Sequence, residues 1–374
     1  MLALTPPMGW NSWNTFGGRI NEEIVRQTAD AFVETGLKDA GYQYVVIDDT
    51  WEAPERGPDR RLMADADRFP GGIKALADYV HGRGLKFGIY SCAGTHTCGV
   101  RPGSFGHEWT DAHTFAEWGV DFLKYDCCYV PNGVDVRGLY RKMGVALRST
   151  GRPIIFGVCE WGMTHPWDWA AHAAGAHMWR TTGDISDNWD YMCELGFERQ
   201  KDLERFAGPR RWNDPDMLIV GMRGQGNVAA GGCTDEQYRI HFTLWCMLAA
   251  PLMIGCDARD MDPVTLDMLT APEVIAVDQD PLGCQGYCLG HDGHKGQVWA
   301  RPLADGSVAV GLFNLNPDHE RMLTVAWEAV GIDAHRAGRV RDLWAREDVG
   351  EFTASFATPV PSHACELLKV TPLG

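Results

Sequence analysis

The stretch Tyr42-Gln43-Tyr44-Val45-Val46-Ile47-Asp48-Asp49 is nearly continuous apolar sequence that stops on two aspartates. A strand with one wet face alternates. A short unbroken apolar run is how a parallel strand covered on both faces reads. Outward from it, runs of the same kind fall at 8–13, 86–91, 122–126, 154–159, 177–184, 211–218 and 251–254. Helix-like stretches lie between them, near 21–40, 72–83, 110–118, 137–149, 167–174, 187–206 and 235–249. The first of these starts well: Asn21 precedes Glu22 and Glu23, and Val25, Ala29 and Phe32 repeat at helical spacing. Strand and helix in alternation are the signature of repeated βα units. Eight such strands predict a closed (β/α)₈ TIM barrel rather than an open doubly wound sheet.

The texture changes after about Gln285. Runs at 297–301, 308–314, 321–326 and 365–370 are short and often alternate, with turn residues such as Asp305-Gly306 between them. The expected organisation is a catalytic barrel over 1–285 and a small antiparallel β-sandwich over 286–374. A barrel needs about 250 residues, so the 374-residue length suits this division.

Composition narrows the partners. A net charge of −16 repels phosphate backbones and anionic lipid, so neither nucleic acid nor membrane is an expected partner. The longest apolar stretch, 244–254, is too short to span a bilayer. Fifteen tryptophans favour a carbohydrate ligand, because indole faces stack on the C–H faces of sugars, although some must pack in the core. Twelve cysteines are too sparse for a disulfide scaffold, and no metal-type CxxC pair occurs. Met1-Leu-Ala-Leu-Thr-Pro-Pro7 has no basic segment followed by an apolar core, so the chain as it stands is expected in the cytoplasm, or outside the cell if a signal was removed.

Barrel active sites form where strands end and βα loops begin. The ends here are acidic: Asp48-Asp49, Lys124-Tyr125-Asp126, Cys159-Glu160-Trp161, Arg180 through Asp184, and Asp214 with Asp216. One such aspartate reads as readily as a salt bridge or a helix cap; five sets together read as a site, since buried acids desolvate badly without a purpose. Residues two apart on a strand share a side, which pairs Lys124 with Asp126 and aligns Arg180, Thr182 and Asp184. The lysine should keep Asp126 ionised, as a nucleophile requires, while a second, drier carboxylate with a raised pKa could donate a proton. That is the minimum equipment for cleaving a glycosidic bond. Gly221-Met-Arg-Gly-Gln-Gly226 has the wrong spacing for a dinucleotide loop and is expected at the barrel rim. His172 and His177, five apart, lack the spacing of a zinc pair. The tryptophans of 161–169 could stack on sugar or pack helix against barrel.

At these residues the chain resembles the α-galactosidases of glycoside hydrolase family 27. The likeness runs over almost the whole length through Met8-Gly-Trp-Asn-Ser-Trp13, Ile47-Asp-Asp49 with Trp51, Lys124-Tyr-Asp126 with Cys128, Cys159-Glu-Trp161, Trp179-Arg180 to Asp184, Trp212-Asn-Asp-Pro-Asp-Met217, Ala249-Ala-Pro-Leu252 and Asp278-Gln-Asp-Pro-Leu-Gly283. The resemblance implies release of terminal α-D-galactose with retained anomeric configuration, no cofactor and no metal requirement. It matches Asp126 to the nucleophile and Asp184 to the acid/base. Asp48, Asp49, Lys124 and Arg180 match sugar contacts, Trp13 an aromatic wall and Met217 the floor, and Tyr90 and Cys159 are expected substrate contacts as well. Glu160 and Trp161 match the segment flanking the sugar's 2-position. Cys98 and Cys128 match a bridge beside the site, against which a reducing cytoplasm would work.

One position departs. In Tyr90-Ser-Cys92-Ala-Gly94, Cys92 stands where these galactosidases usually carry Asp, near the sugar's C6 substituent. β-L-Arabinopyranosidases are altered there, so that activity stays open as the alternative. An α-N-acetylgalactosaminidase, an inactive sugar-binding protein and a metal-dependent barrel hydrolase are weaker alternatives. Oligomeric state is not legible.

Overall fold

The computed structural model describes residues 2–292 and 295–373; Met1, Gly293, His294 and Gly374, which fall inside the two expected domain ranges, lie outside the described residues. All eight expected strands form, as β1 Met8–Asn11, β2 Tyr44–Val46, β3 Lys86–Cys92, β4 Phe122–Asp126, β5 Ile155–Val158, β6 Met178–Arg180, β7 Trp212–Asp214 and β8 Leu252–Ile254. They pair in parallel in the order β7-β6-β5-β4-β3-β2-β1-β8. The remaining gap is closed by a parallel bridge between Leu218, beyond β7, and Ile254 of β8. The sheet is a (β/α)₈ barrel.

Several strands are shorter than the runs that announced them. Asp48, Asp49 and Asp184 leave the ladder, and their carboxylates meet Lys124 of β4, the Gly99 amide of a loop and Arg180 of β6 respectively. Register fixes what sits beside what: Tyr90 lies opposite Lys124, and Cys92 opposite Asp126.

The major helices run over Glu22–Glu34, Gly72–Gly82, Glu108–Trp118, Val136–Ser149 and Asp235–Met247. Asn21 caps the first through its side chain, which accepts from the Ile24 amide at 2.9 Å. That helix stops at Glu34, short of the expected residue 40, because Gly36 takes a left-handed φ of +84°. The expected helix over 187–206 is broken. It consists of Trp189–Cys193, a wide π turn over Glu194–Glu198 and a short 3₁₀ turn over Glu204–Phe206. Gly196 in that wide turn packs directly on Leu244 and Trp245, leaving no room for a Cβ. Only one π turn, Ala170–Ala174, forms within 167–174, after a 3₁₀ turn over Pro166–Asp168. Two helices, Pro263–Leu269 and Pro272–Asp278, were not anticipated; each has Pro at its start, where no amide is needed.

The C-terminal region is antiparallel, with β9 Tyr287–Asp292, β10 Gly296–Pro302, β11 Val308–Asn314, β12 Arg321–Ala326, β13 Ala337–Asp342, β14 Glu347–Thr353, β15 Ser355–Val360 and β16 Ala364–Pro372. Six of these form a sheet in the order β14-β13-β16-β11-β10-β9, and β12 pairs with β15. Val310, Leu312, Val325, Trp327, Phe356 and Leu368 fill the space between the sheets. The other face of the large sheet is not a separate core. Trp299, Phe313, Cys365 and Leu367 join the barrel's own hydrophobic cluster. Arg301 is wholly buried at this junction, where Nη1 donates to the Cys246 carbonyl and Nη2 to the Asp278 carbonyl at 3.1 Å. The antiparallel region therefore braces the barrel wall behind the site.

Candidate active site

The carboxylates gather at the C-terminal mouth of the barrel. Asp126, the last residue of β4, is almost completely buried. Its Oδ2 accepts from the Tyr90 hydroxyl at 3.0 Å, and its Oδ1 accepts from the Cys127 amide at 2.8 Å. Burial pushes its pKa up to about 7; Lys124 and the Cys127 amide pull the other way, and the Asp184 charge adds to the rise.

Asp184 is held differently. It lies beyond β6 with a side chain 59 % exposed, and Arg180 Nη1 donates to its Oδ1 at 3.2 Å. Partial burial raises its pKa, but Arg180, Lys124 and a hydrogen bond from Trp161 outweigh that and leave it below the ordinary value. This reverses the sequence expectation, which had Asp126 ionised by Lys124 and Asp184 raised. Desolvation beats the lysine at Asp126, while two cations beat desolvation at Asp184. Between the two, the proton prefers the buried aspartate.

The arginine organises its own loop. Besides Asp184, Arg180 donates through Nη2 to the carbonyls of Thr182 (3.1 Å) and Gly183 (2.5 Å), wrapping residues 181–184 around the guanidinium. Asp184 is thus placed by that wrapped loop; strand parity does not extend past Arg180. Behind it, Asp216 pairs with Arg180 Nη1 at 3.0 Å and accepts the Ile185 amide at 2.7 Å. Asp216 was noted at its strand end but not counted among the site residues. The signal was present in Trp212-Asn-Asp-Pro-Asp-Met217; only the fold shows that this acid anchors the arginine.

On the opposite wall, Lys124 Nζ meets Asp48 Oδ2 at 2.7 Å, and Asn11 Nδ2 donates to the same oxygen at 2.7 Å. Burial alone would lower the lysine's pKa; Asp48 outweighs it and keeps the ammonium charged. Asp49 is buried, with Oδ2 accepting the Gly99 amide at 2.6 Å, and desolvation raises its pKa. Trp13 is half-buried directly after β1, its amide donating to Asn11 Oδ1 at 2.9 Å. A cavity beneath the carboxylates is lined by Asn11, Lys124, Cys159, Arg180, Asp216 and Met217. Lys124, Arg180 and Asp216 therefore converge on it with Cys159 and Met217.

Two expected contacts are less direct. Glu160 is fully buried and its Oε2 accepts the Thr164 amide at 2.7 Å, so the carboxylate turns into its own loop; burial lifts its pKa to about 7. Cys92 is likewise sealed, its thiol donating to the Cys128 carbonyl at 3.1 Å. Cys98 and Cys128 are joined as a disulfide. Gly94 lets that loop close, because a Cβ there would collide with the Cys128 carbonyl.

Some backbone strain lies in these loops. Thr50, Tyr129, Trp161 and Asp216 all take left-handed φ values, of +73°, +50°, +56° and +93°. Non-glycine residues are held so only when surrounding structure dictates it, which is common where side chains must be aimed. His177, by contrast, is structural: its Nδ1 accepts the Phe156 amide at 3.1 Å.

The same residues stand in a known lineage. The family profile described as Alpha galactosidase A matches residues 5–280, and the one described as Alpha galactosidase C-terminal beta sandwich domain matches 293–370. An α-galactosidase of Cyamopsis tetragonoloba is 47% identical over 372 residues, covering 99% of this chain and 87% of that one. The chain belongs to the α-galactosidase family. Another member, α-galactosidase I from Mortierella vinacea, has a crystal structure that superposes with a TM-score of 0.92 at 37% identity, covering 99% of this chain and 98% of that one. The wild-type β-L-arabinopyranosidase of Geobacillus stearothermophilus, described as GH27, superposes at 0.87 with 29% identity, covering 99% and 97%. Both regions that the family profiles describe are therefore present here, the first over the barrel and the second over the C-terminal sandwich.

Proposed function

We propose that this chain is a retaining exo-glycoside hydrolase that releases terminal α-D-galactose from galactosides by double displacement. The observation that carries the reading is the pair Asp126 and Asp184, the first buried against the Tyr90 hydroxyl and the second half-exposed on Arg180, with the Asp184 charge acting on Asp126. Asp126 attacks the anomeric carbon as the glycosidic C–O bond breaks, and Asp184 gives its proton to the departing oxygen. Asp184 then takes a proton from water, whose oxygen displaces Asp126 and frees the sugar. Substrate binding supports the required protonation: a sugar covering Asp184 removes solvent and raises its proton affinity, while Lys124 stabilises the charge on Asp126. The Asp48–Lys124–Asn11 cluster and Asp49 offer acceptors and donors to ring hydroxyls. The substrate class is thus a small-molecule or oligosaccharide glycoside.

The competing sugar is β-L-arabinopyranose, which lacks galactose's CH₂OH and to which Cys92 points through the family resemblance. Overall sequence likeness favours galactose. Turnover of aryl α-D-galactoside and aryl β-L-arabinopyranoside by one preparation tests the reading. The expected result is a larger kcat/KM for the galactoside, abolished in Asp126→Asn. A larger kcat/KM for the arabinopyranoside would reassign the substrate. Activity retained in Asp126→Asn would remove that residue from the mechanism.

A further inference from the structure

The Cys98–Cys128 disulfide lies against the Asp126 carboxylate. Ligand-capable atoms of these three residues all fall within 4.8 Å of one another, and Cys98 Sγ is 3.9 Å from Asp126 Oδ2. Bonded to each other, the sulfurs cannot ligate a cation. Reduced, they become two thiols facing a buried carboxylate. Two thiolates and one carboxylate are a complete protein donor set for a tetrahedral ion that keeps one position open. With bonds of about 2.3 Å to sulfur and 2.0–2.2 Å to oxygen, such ligand atoms sit roughly 3.5–3.8 Å apart, so the freed sulfurs must part while the Asp126 oxygen, 3.9 Å from Cys98 Sγ, need close only slightly. Two thiolates and a carboxylate around a dipositive ion leave one negative charge, with the Lys124 ammonium, itself paired with Asp48, beside it. Access is available from one side, since Cys98 is exposed while Asp126 and Cys128 are buried.

We propose that reduction of the Cys98–Cys128 disulfide opens a site for a soft divalent cation of the zinc and cadmium class, bound by Cys98 Sγ, Cys128 Sγ and the Asp126 carboxylate. The reductant is a thiol, dithiol or phosphine. A phosphine and water convert the disulfide to two thiols and the phosphine oxide, and each thiol releases its proton as the cation binds. One consequence rests on the nucleophile assignment above: a cation on Asp126 silences the hydrolase, so reducing conditions with available metal switch it off. The site itself does not depend on that assignment.

The test uses the full chain and Cd²⁺. Protein is reduced with tris(carboxyethyl)phosphine, freed of it anaerobically and titrated by thiolate-to-cadmium charge-transfer absorbance. Ten further cysteines are free, so oxidised protein, which keeps all ten, is the reference. Reduced protein should bind one more equivalent than oxidised protein. Cys98→Ser should lose that equivalent, and Asp126→Asn should keep it while weakening it by at least the order of 10-fold that loss of an outer partner costs. Equal uptake by reduced and oxidised protein overturns the proposal. So does retention of the extra equivalent in Cys98→Ser, unchanged affinity in Asp126→Asn, or unfolding on reduction seen by circular dichroism. Galactosidase activity of the oxidised, metal-free enzyme is measured alongside. An extra equivalent without any such activity would leave the metal site standing and sink the hydrolase reading instead.

Discussion

The Tyr90 hydroxyl donates to Oδ2 of Asp126 at 3.0 Å across the β3–β4 ladder, joining two strands' inward faces where the carboxylate is almost completely buried. The tyrosine is itself almost wholly buried, and desolvation keeps its hydroxyl protonated. It is thus a fixed donor to whichever form of Asp126 carries charge. Replacing Tyr90 by Phe should lower kcat/KM on an aryl galactoside by roughly 10–100-fold, the worth of a hydrogen bond to a charged group. The acidic limb of the pH profile should move up in the same variant. A limb that moves down or stays fixed would show that the hydroxyl does not stabilise the carboxylate.

Asp126 should weaken the fold it serves. Its folded pKa of about 7 exceeds the ordinary 3.8, so the folded chain holds this proton more tightly than the unfolded one. Stability contributed by that proton is complete at low pH and is lost as pH rises through about 4 to 7. Asp126→Asn should therefore raise the midpoint of thermal unfolding at pH 8, by up to a few kcal/mol of stability, and change it little at pH 4. Melting curves at both pH values decide it; a variant less stable at pH 8 contradicts the sign.

The Asp184 charge helps to raise Asp126. In Asp184→Asn the acidic limb of kcat/KM should shift to lower pH when the substrate has a leaving group that needs no proton. The same variant should lose far more activity on an alkyl galactoside than on a dinitrophenyl one, because only the former depends on a general acid. Equal losses on both substrates would argue against Asp184 as the proton donor.

Lys124 and Asp48 are a buried pair, with side chains 19% and 3% exposed. Lys124→Met leaves the Asp48 charge with only Asn11 and local amides, which should destabilise the chain by about 3–5 kcal/mol in denaturant titrations. Asp48→Asn in the same background should recover part of that loss. No recovery would mean that the lysine acts through packing of its stem.

What the sequence determined by itself follows from strand chemistry. A run such as 42–49, nearly continuous in apolar residues, reads as a covered parallel strand, and eight strand-like runs with helices between fit a closed barrel better than an open sheet. The acids at the run ends were legible only as a set: one alone reads as a salt bridge or a helix cap, whereas five acidic strand ends mark a site. Helix limits were less legible, because Gly36 and Gly196 act through conformation and close packing that local periodicity does not register. The antiparallel edge strand Glu347–Thr353 was missed because it is largely polar and exposed. Charge state belonged to the tertiary structure alone. Which aspartate holds the proton depends on how completely Asp126 is buried and on Arg180 reaching Asp184 around its own loop. Both are distances through space between residues that no spacing along the chain encodes.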